Sequence, residues 1–174
     1  MALALEGIKV VDVSQVAAVP MAARHLGDFG ADVIHVEHPV RGDSWRVYQA
    51  GIGTGLTGVS CNVNYNWENF NRNKRSVTID LSQQRGREIL YKLVERTDVF
   101  LTNMRLFERE KFGLEYETLK AVNPKLIYGS LTGYGKKGPH REAHEENTHP
   151  IYTQFPCQWV YAYEHYGGLD DQWS

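Results

Sequence analysis

Two adjacent cations, Lys74 and Arg75, stand in the segment Asn71 to Asp80 (NRNKRSVTID), directly ahead of a β-forming run. From the entrance of a strand such side chains could meet a phosphate, although the pair considered alone also reads as a solvated basic turn. Asn103 follows the apolar run Val99 to Thr102. That places its amide at the carboxyl edge of a strand, where open α/β sheets bind ligands, and where ordinary turn residues also sit. The segment Gly133 to Pro139 (GYGKKGP) combines flexible backbone with Lys136 and Lys137, so it could cradle an anion or simply be an exposed loop. The shared theme is anion binding rather than a reaction.

Other chemistries fit less well. Glu37 lies where the ribose-binding acid of a dinucleotide site would lie, but the first turn, SQVAAVP (Ser14 to Pro20), has no glycine to let the backbone approach a pyrophosphate. His140, His144 and His149 invite a metal, yet they are not at the spacing of a zinc-binding helix. The two cysteines, Cys61 and Cys157, have no neighbours at metal or redox spacing, which fits a reducing cytosol and leaves a disulfide between them open. A net charge of −2 over 174 residues gives no general basic excess, which argues against nucleic acid as a partner. The opening MALALEGIKVVDVS lacks a basic flank, and no apolar run approaches bilayer length. The expectation is a soluble, cytoplasmic protein with no membrane partner.

The positioning elements follow from periodicity. Apolar residues make up 42% of the chain, enough for a real core. Ile8 to Val13 is a β-branched run of the kind buried in a parallel sheet, and Ser14 to Pro20 interrupts it. Met21 to Phe29 has helical spacing with Gly30 as its cap, and Val33 to Glu37 is the next strand, completing a βαβ unit. Pro39 to Asn73 reads as a long irregular excursion. Strand Ser76 to Leu81, helix Gln84 to Arg96, strand Val99 to Thr102, helices around Phe107 to Phe112 and Tyr116 to Val122, and strand Leu126 to Leu131 then predict an α/β fold with a mostly parallel sheet. After Pro139 the character changes to histidines, acids and seven aromatics between Tyr152 and Trp173, without period. Residues 1–139 and 140–174 are therefore expected to be two unlike parts.

Together these features resemble a known family. LEGIKVVDVSQVAAVPMAARHLGDFGADVIHVEHPVRGDSWR, NRNKRSVTIDLSQQRGREILYKLVERTDVFLTNMR and FGLEYETLKAVNPKLIYGSLTGYGKKGP, in that order, resemble the N-terminal part of family III coenzyme A transferases. This CaiB/BaiF group holds formyl-CoA transferase, carnitine CoA-transferase and α-methylacyl-CoA racemase. The resemblance implies a Rossmann-like large domain built from both ends of a chain more than twice this length, with subunits interlocked as a homodimer. It further implies that CoA moves between acyl-CoA and small carboxylic acids without a metal. The positions that match the family's CoA contacts are Val16, His38, Arg75, Ile79, Asn103 and Lys111.

Departures qualify the resemblance. His38 and Lys111 stand where some relatives carry arginine, and Ala17 where a glutamine lies near the thioester, so a weaker hold on phosphate is implied. The family's nucleophile is an aspartate that attacks the acyl-CoA carbonyl. It lies downstream of the Gly-Tyr pair matched by Gly133 and Tyr134, at a position that would fall past Ser174. Asp170 and Asp171 lack its sequence context, and HREAHEENTHP replaces the usual Pro-Gly-Tyr-Asp. The reading is a truncated or frame-shifted chain with no catalytic residue of its own, inactive alone. An acyl-CoA racemase fragment and a non-catalytic CoA-binding remnant are the alternatives.

Overall fold

Valine and isoleucine restrict χ1 and pack well on a pleated surface, and the runs they dominate become strands. The computed structural model describes residues 2–46, 64–133 and 135, with residues 65, 66 and 160–163 described by backbone alone. Strands β1 (Lys9–Val13), β2 (Asp32–Glu37), β3 (Lys74–Thr78), β4 (Val99–Thr102) and β5 (Ile127–Leu131) lie parallel in the order β3-β2-β1-β4-β5. A sixth strand, β6 (Val160–Tyr163), pairs antiparallel with β5, inside the stretch expected to have no place in this design. The chain steps outward from β1 to β3 and returns to the other side of β1. The topological switch point therefore lies between β1 and β4.

Helix α1 (Ala18–Asp28) starts before the expected Met21. Pro20 sits in its first turn, where a backbone N–H would have no intrahelical partner, so the proline costs no hydrogen bond. The irregular stretch after β2 contains a 3₁₀ turn, Ser44–Arg46, and helix α2 (Tyr65–Asn71). Asn64 caps α2 by accepting the Trp67 N–H at 3.0 Å, a signal a polar, aromatic-rich segment hides well. Helices α3 (Gln84–Val94), α4 (Leu106–Phe112) and α5 (Tyr116–Val122) follow the predicted order. Gly113 ends α4 in the left-handed region at φ 69°, a conformation only glycine adopts freely.

Strand alternation gives the sheet two unlike faces. On one, Val11, Val13, Val36, Phe100 and Tyr128 pack with Leu90, Val94, Leu114 and Leu119 in the main core. On the other, Val10 and Val33 pack with Ala23 and Ala31 toward the amino ends of the strands. Further along that same face the side chains turn polar, and Asp12 lies opposite His35, His35 opposite Ser76, and Val33 opposite Lys74.

Candidate functional site

The chain leaves β1 through Ser14 and Gln15 into Val16, whose φ of 70° is unusual for a β-branched residue and costs backbone energy. Asn103 holds this loop at both ends of one amide. Its Oδ1 accepts the Gln15 N–H at 2.9 Å, and its Nδ2 donates to the Gln15 carbonyl at 2.7 Å. The contact ties the loop after β1 to the loop after β4 across the switch point. Val16 donates its N–H to Asp43 Oδ1 at 3.4 Å and remains 37% exposed, so strained backbone faces the open edge.

His38 follows β2 on the same edge. Its Nδ1 accepts the N–H groups of Val40 and Arg41, each at 3.1 Å, which places the proton of a neutral ring on Nε2 and makes that nitrogen a donor. Ile79 continues β3 by donating its N–H to the Glu37 carbonyl at 2.8 Å. Its side chain, named by the resemblance as a CoA contact, is buried in the main core. Next to it, Asp80 accepts the Ser82 hydroxyl at 2.6 Å and the Ser82 N–H at 3.0 Å. The Ser82 hydrogen bond, with the nearby His38 adding to it, holds the Asp80 carboxyl below its ordinary range.

Val16, His38, the backbone of Ile79 and Asn103 thus share the carboxyl edge. Lys111 is exposed in the last turn of α4, its ammonium 5.6 Å from the Phe112 ring centre. Arg75 lies elsewhere. Opposite Ile34 in β3, it points to the other face from Lys74, so the adjacent cations of the sequence are split by the period of the strand. Its guanidinium pairs with Asp32 at 2.6 and 2.9 Å, bordering a cleft of about 690 Å³ with Lys9, Lys92 and Arg96 toward the amino ends of the strands.

Sequence reasoning missed the buried polar cluster beneath the edge. Asp12 is fully buried, and its Oδ2 accepts from His35 Nδ1 at 2.8 Å and from Lys74 Nζ at 2.9 Å, while Ser14 Oγ donates to Oδ1. Lys74 also donates to Asn71 Oδ1 at 2.8 Å. Glu37, the apparent ribose-binding acid, is already engaged by Arg46 at 2.6 and 2.7 Å and by the Ser76 hydroxyl at 2.6 Å. The signal was present as polar residues at alternate positions of otherwise β-forming runs, which only the strand register brings together.

Burial alone would raise the Asp12 carboxyl, but His35, Lys74 and Ser14 outweigh it and hold the group down to about 2. Glu37 moves the same way to about 2, burial being overcome by Arg46 and Ser76. A lowered carboxylate contributes stability that is complete above its unfolded value and is lost as pH falls through the folded one. Between roughly pH 4 and pH 2 the chain is therefore expected to lose about 2 kcal/mol through Asp12 alone, with Glu37 adding to the loss. Urea midpoints measured across that range check this; a stability unchanged down to about pH 2 would contradict the cluster's charge assignment.

Lys136, Lys137, Asp170, Asp171, His140, His144, His149 and both cysteines lie outside the described residues. Among the described residues no group of histidine, cysteine and acidic side chains could hold a metal, and no helix is long and apolar enough to cross a membrane.

Comparison with known proteins adds an independent line. The model of the family described as CoA-transferase family III matches residues 5–148. The (R)-2-hydroxy-4-methylpentanoate CoA-transferase of Clostridioides difficile is 42% identical over 138 residues, which cover 79% of this chain and 34% of that protein. The succinyl-CoA–L-malate CoA-transferase beta subunit of Chloroflexus aurantiacus is 41% identical over 140 residues, covering 80% of this chain and 33% of the subunit. The crystal structure of a CAIB/BAIF family protein from Brucella suis aligns with a TM-score of 0.72 at 39% identity, over 83% of this chain and 37% of that one. The chain thus spans about a third of the length of the curated relatives it matches.

Proposed function

From the premise that this chain belongs to CoA-transferase family III, we propose that it binds the CoA portion of an acyl-CoA along the carboxyl edge of its sheet, as the cofactor-binding part of an enzyme that moves CoA between carboxylic acids. The observation that carries the reading is the Asn103 amide clasping Gln15 across the switch point, beside the exposed backbone of Val16. Open α/β sheets take their ligands at that place. His38 Nε2 there supplies a donor for phosphate oxygens, and Lys111 an exposed cation on the helix that follows β4. The backbone of Ile79 and Asp80 forms the neighbouring wall. Small carboxylic acids are the acceptors this reading implies, and the residues described here hold the cofactor rather than attack it.

Titration of CoA into the purified chain tests the proposal. Asn103→Ala is expected to weaken binding about tenfold, the size of a lost net hydrogen bond pair. Lys111→Ala should weaken it less and reduce its salt dependence, because a surface cation acts through screened attraction. Arg75, paired with Asp32 on the other face, is the informative control. An Arg75→Ala variant that loses more affinity than Asn103→Ala would move the site away from the switch point.

A further inference from the structure

We propose that Asp43 is a positioning residue for the strained Val16 backbone, and that His35 holds Asp43 to this task through a proton the two share. The inference rests on the carboxyl edge being the CoA site and names what keeps that edge in shape.

Asp43 is 1% exposed, and Oδ1 accepts N–H groups from Trp45 at 2.8 Å and from Val16 at 3.4 Å. Its other oxygen, Oδ2, has no hydrogen-bond partner and faces His35 Nε2, itself unpartnered, at 3.7 Å. His35 cannot swing away: its Nδ1 is fixed on Asp12, and the Trp67 ring of α2 lies 5.6 Å from its own. Two buried groups facing each other without a bond are costly unless a proton sits between them.

Charge decides where that proton stays. Asp12 from β1 is balanced by Lys74 from β3, and Glu37 from β2 by Arg46 from the 3₁₀ turn, while Arg24 of α1 also bears on Lys74. With one proton shared by His35 and Asp43 the cluster is neutral. Without it, Asp43 becomes an uncompensated buried carboxylate near Glu37, and burial foremost raises its affinity for the proton. The raised carboxyl therefore holds the proton to higher pH than a free carboxylate would, and loses it as pH rises further. Losing it pushes Asp43 away from the acidic cluster and releases the Val16 N–H, the contact that fixes the positive φ at the edge.

The experiment follows the 174-residue chain by ¹H–¹⁵N NMR from about pH 6 to 10, reading the Val16 amide and the His35 ring nitrogens. The same samples are titrated with CoA. In the wild type the Val16 amide is expected to shift together with loss of the proton from Asp43, and CoA affinity to fall over the same pH range. In Asp43→Asn, which keeps an oxygen for the Trp45 and Val16 N–H groups but cannot share the proton, the coupled shift disappears. Affinity in that variant stays near the wild-type value and loses its pH dependence, because the neutral amide keeps the Val16 and Trp45 contacts and can donate to His35 Nε2. Retention of the wild-type pH profile in Asp43→Asn, or a Val16 amide indifferent to that proton loss, overturns the proposal. Failure of CoA to bind any form would refute the proposed function instead, with the NMR coupling still deciding the role of Asp43.

Discussion

Replacement of Asp12 by alanine is expected to destabilise the folded chain by about 3 to 5 kcal/mol, because it strands a buried lysine. The Lys74 ammonium is 1% exposed, and Asp12 Oδ2 at 2.9 Å is the charge that permits it to stay ionised there. Burial already lowers the lysine's hold on its proton, and Asp12 is the main force acting the other way. Removing the carboxylate also leaves His35 Nδ1 and the Ser14 hydroxyl without their acceptor. Each orphaned polar group adds its own desolvation cost. Urea unfolding followed by circular dichroism reads the loss as a lower midpoint at unchanged slope. The double variant Asp12→Asn with Lys74→Met should recover much of it, since a buried ion pair replaced as a unit is often close to neutral. A single-variant loss below about 1 kcal/mol would mean that Lys74 reaches water and that the cluster is not sealed.

That cluster also marks how far the sequence could be read. The strands β1, β2, β4 and β5 and the helices α3 to α5 were legible, since β-branched runs and helical spacing are local signals. Asn103 could be placed at the carboxyl edge because it directly follows β4. Lys74 and Arg75 were legible as cations but not as a pair divided between faces. Once Lys74 opens β3, two residues ahead of the predicted start, alternation sends one to Asp12 and the other to Asp32. The Asp12, His35 and Asp43 constellation draws on residues far apart in sequence. Parallel register, which periodicity does not specify, is what assembles it. Ile79 shows the converse: the resemblance offered it as a CoA contact inside a strand expected to run to Leu81, whereas β3 ends at Thr78 and the burial of Ile79 depends on how closely α3 approaches β3.

That approach is set by Gly86, and Gly86→Ala is expected to cost about 3 kcal/mol and to weaken CoA binding, although alanine favours helix by roughly 1 kcal/mol. Gly86 lies in the first turn of α3, where an added Cβ would come within 2.0 Å of the Asp80 carbonyl oxygen, 2.8 Å of its carbon and 3.2 Å of Ile79 Cγ2. Two of those atoms are backbone and cannot rotate aside. The turn they belong to is also pinned: the Gln83 N–H donates to the Asp80 carbonyl at 3.2 Å, and Arg87 Nη1 to the carbonyls of Leu81 and Ser82, both at 2.9 Å. Relief must come from moving α3 off the sheet or from displacing the Ile79 to Ser82 turn beside His38. The first opens the main core around Leu90 and Val94, and the second deforms the proposed CoA edge. Urea midpoints and CoA titrations on the same preparations separate the routes, since a shift of α3 lowers stability with little change in affinity and a displaced turn lowers both. Arg85→Ala, at an exposed position of the same helix, supplies the reference for helix propensity. If Gly86→Ala proves as stable as that reference and binds CoA as tightly as wild type, the close contact of α3 with Asp80 does not govern the edge, and the turn after β3 is positioned by its own hydrogen bonds.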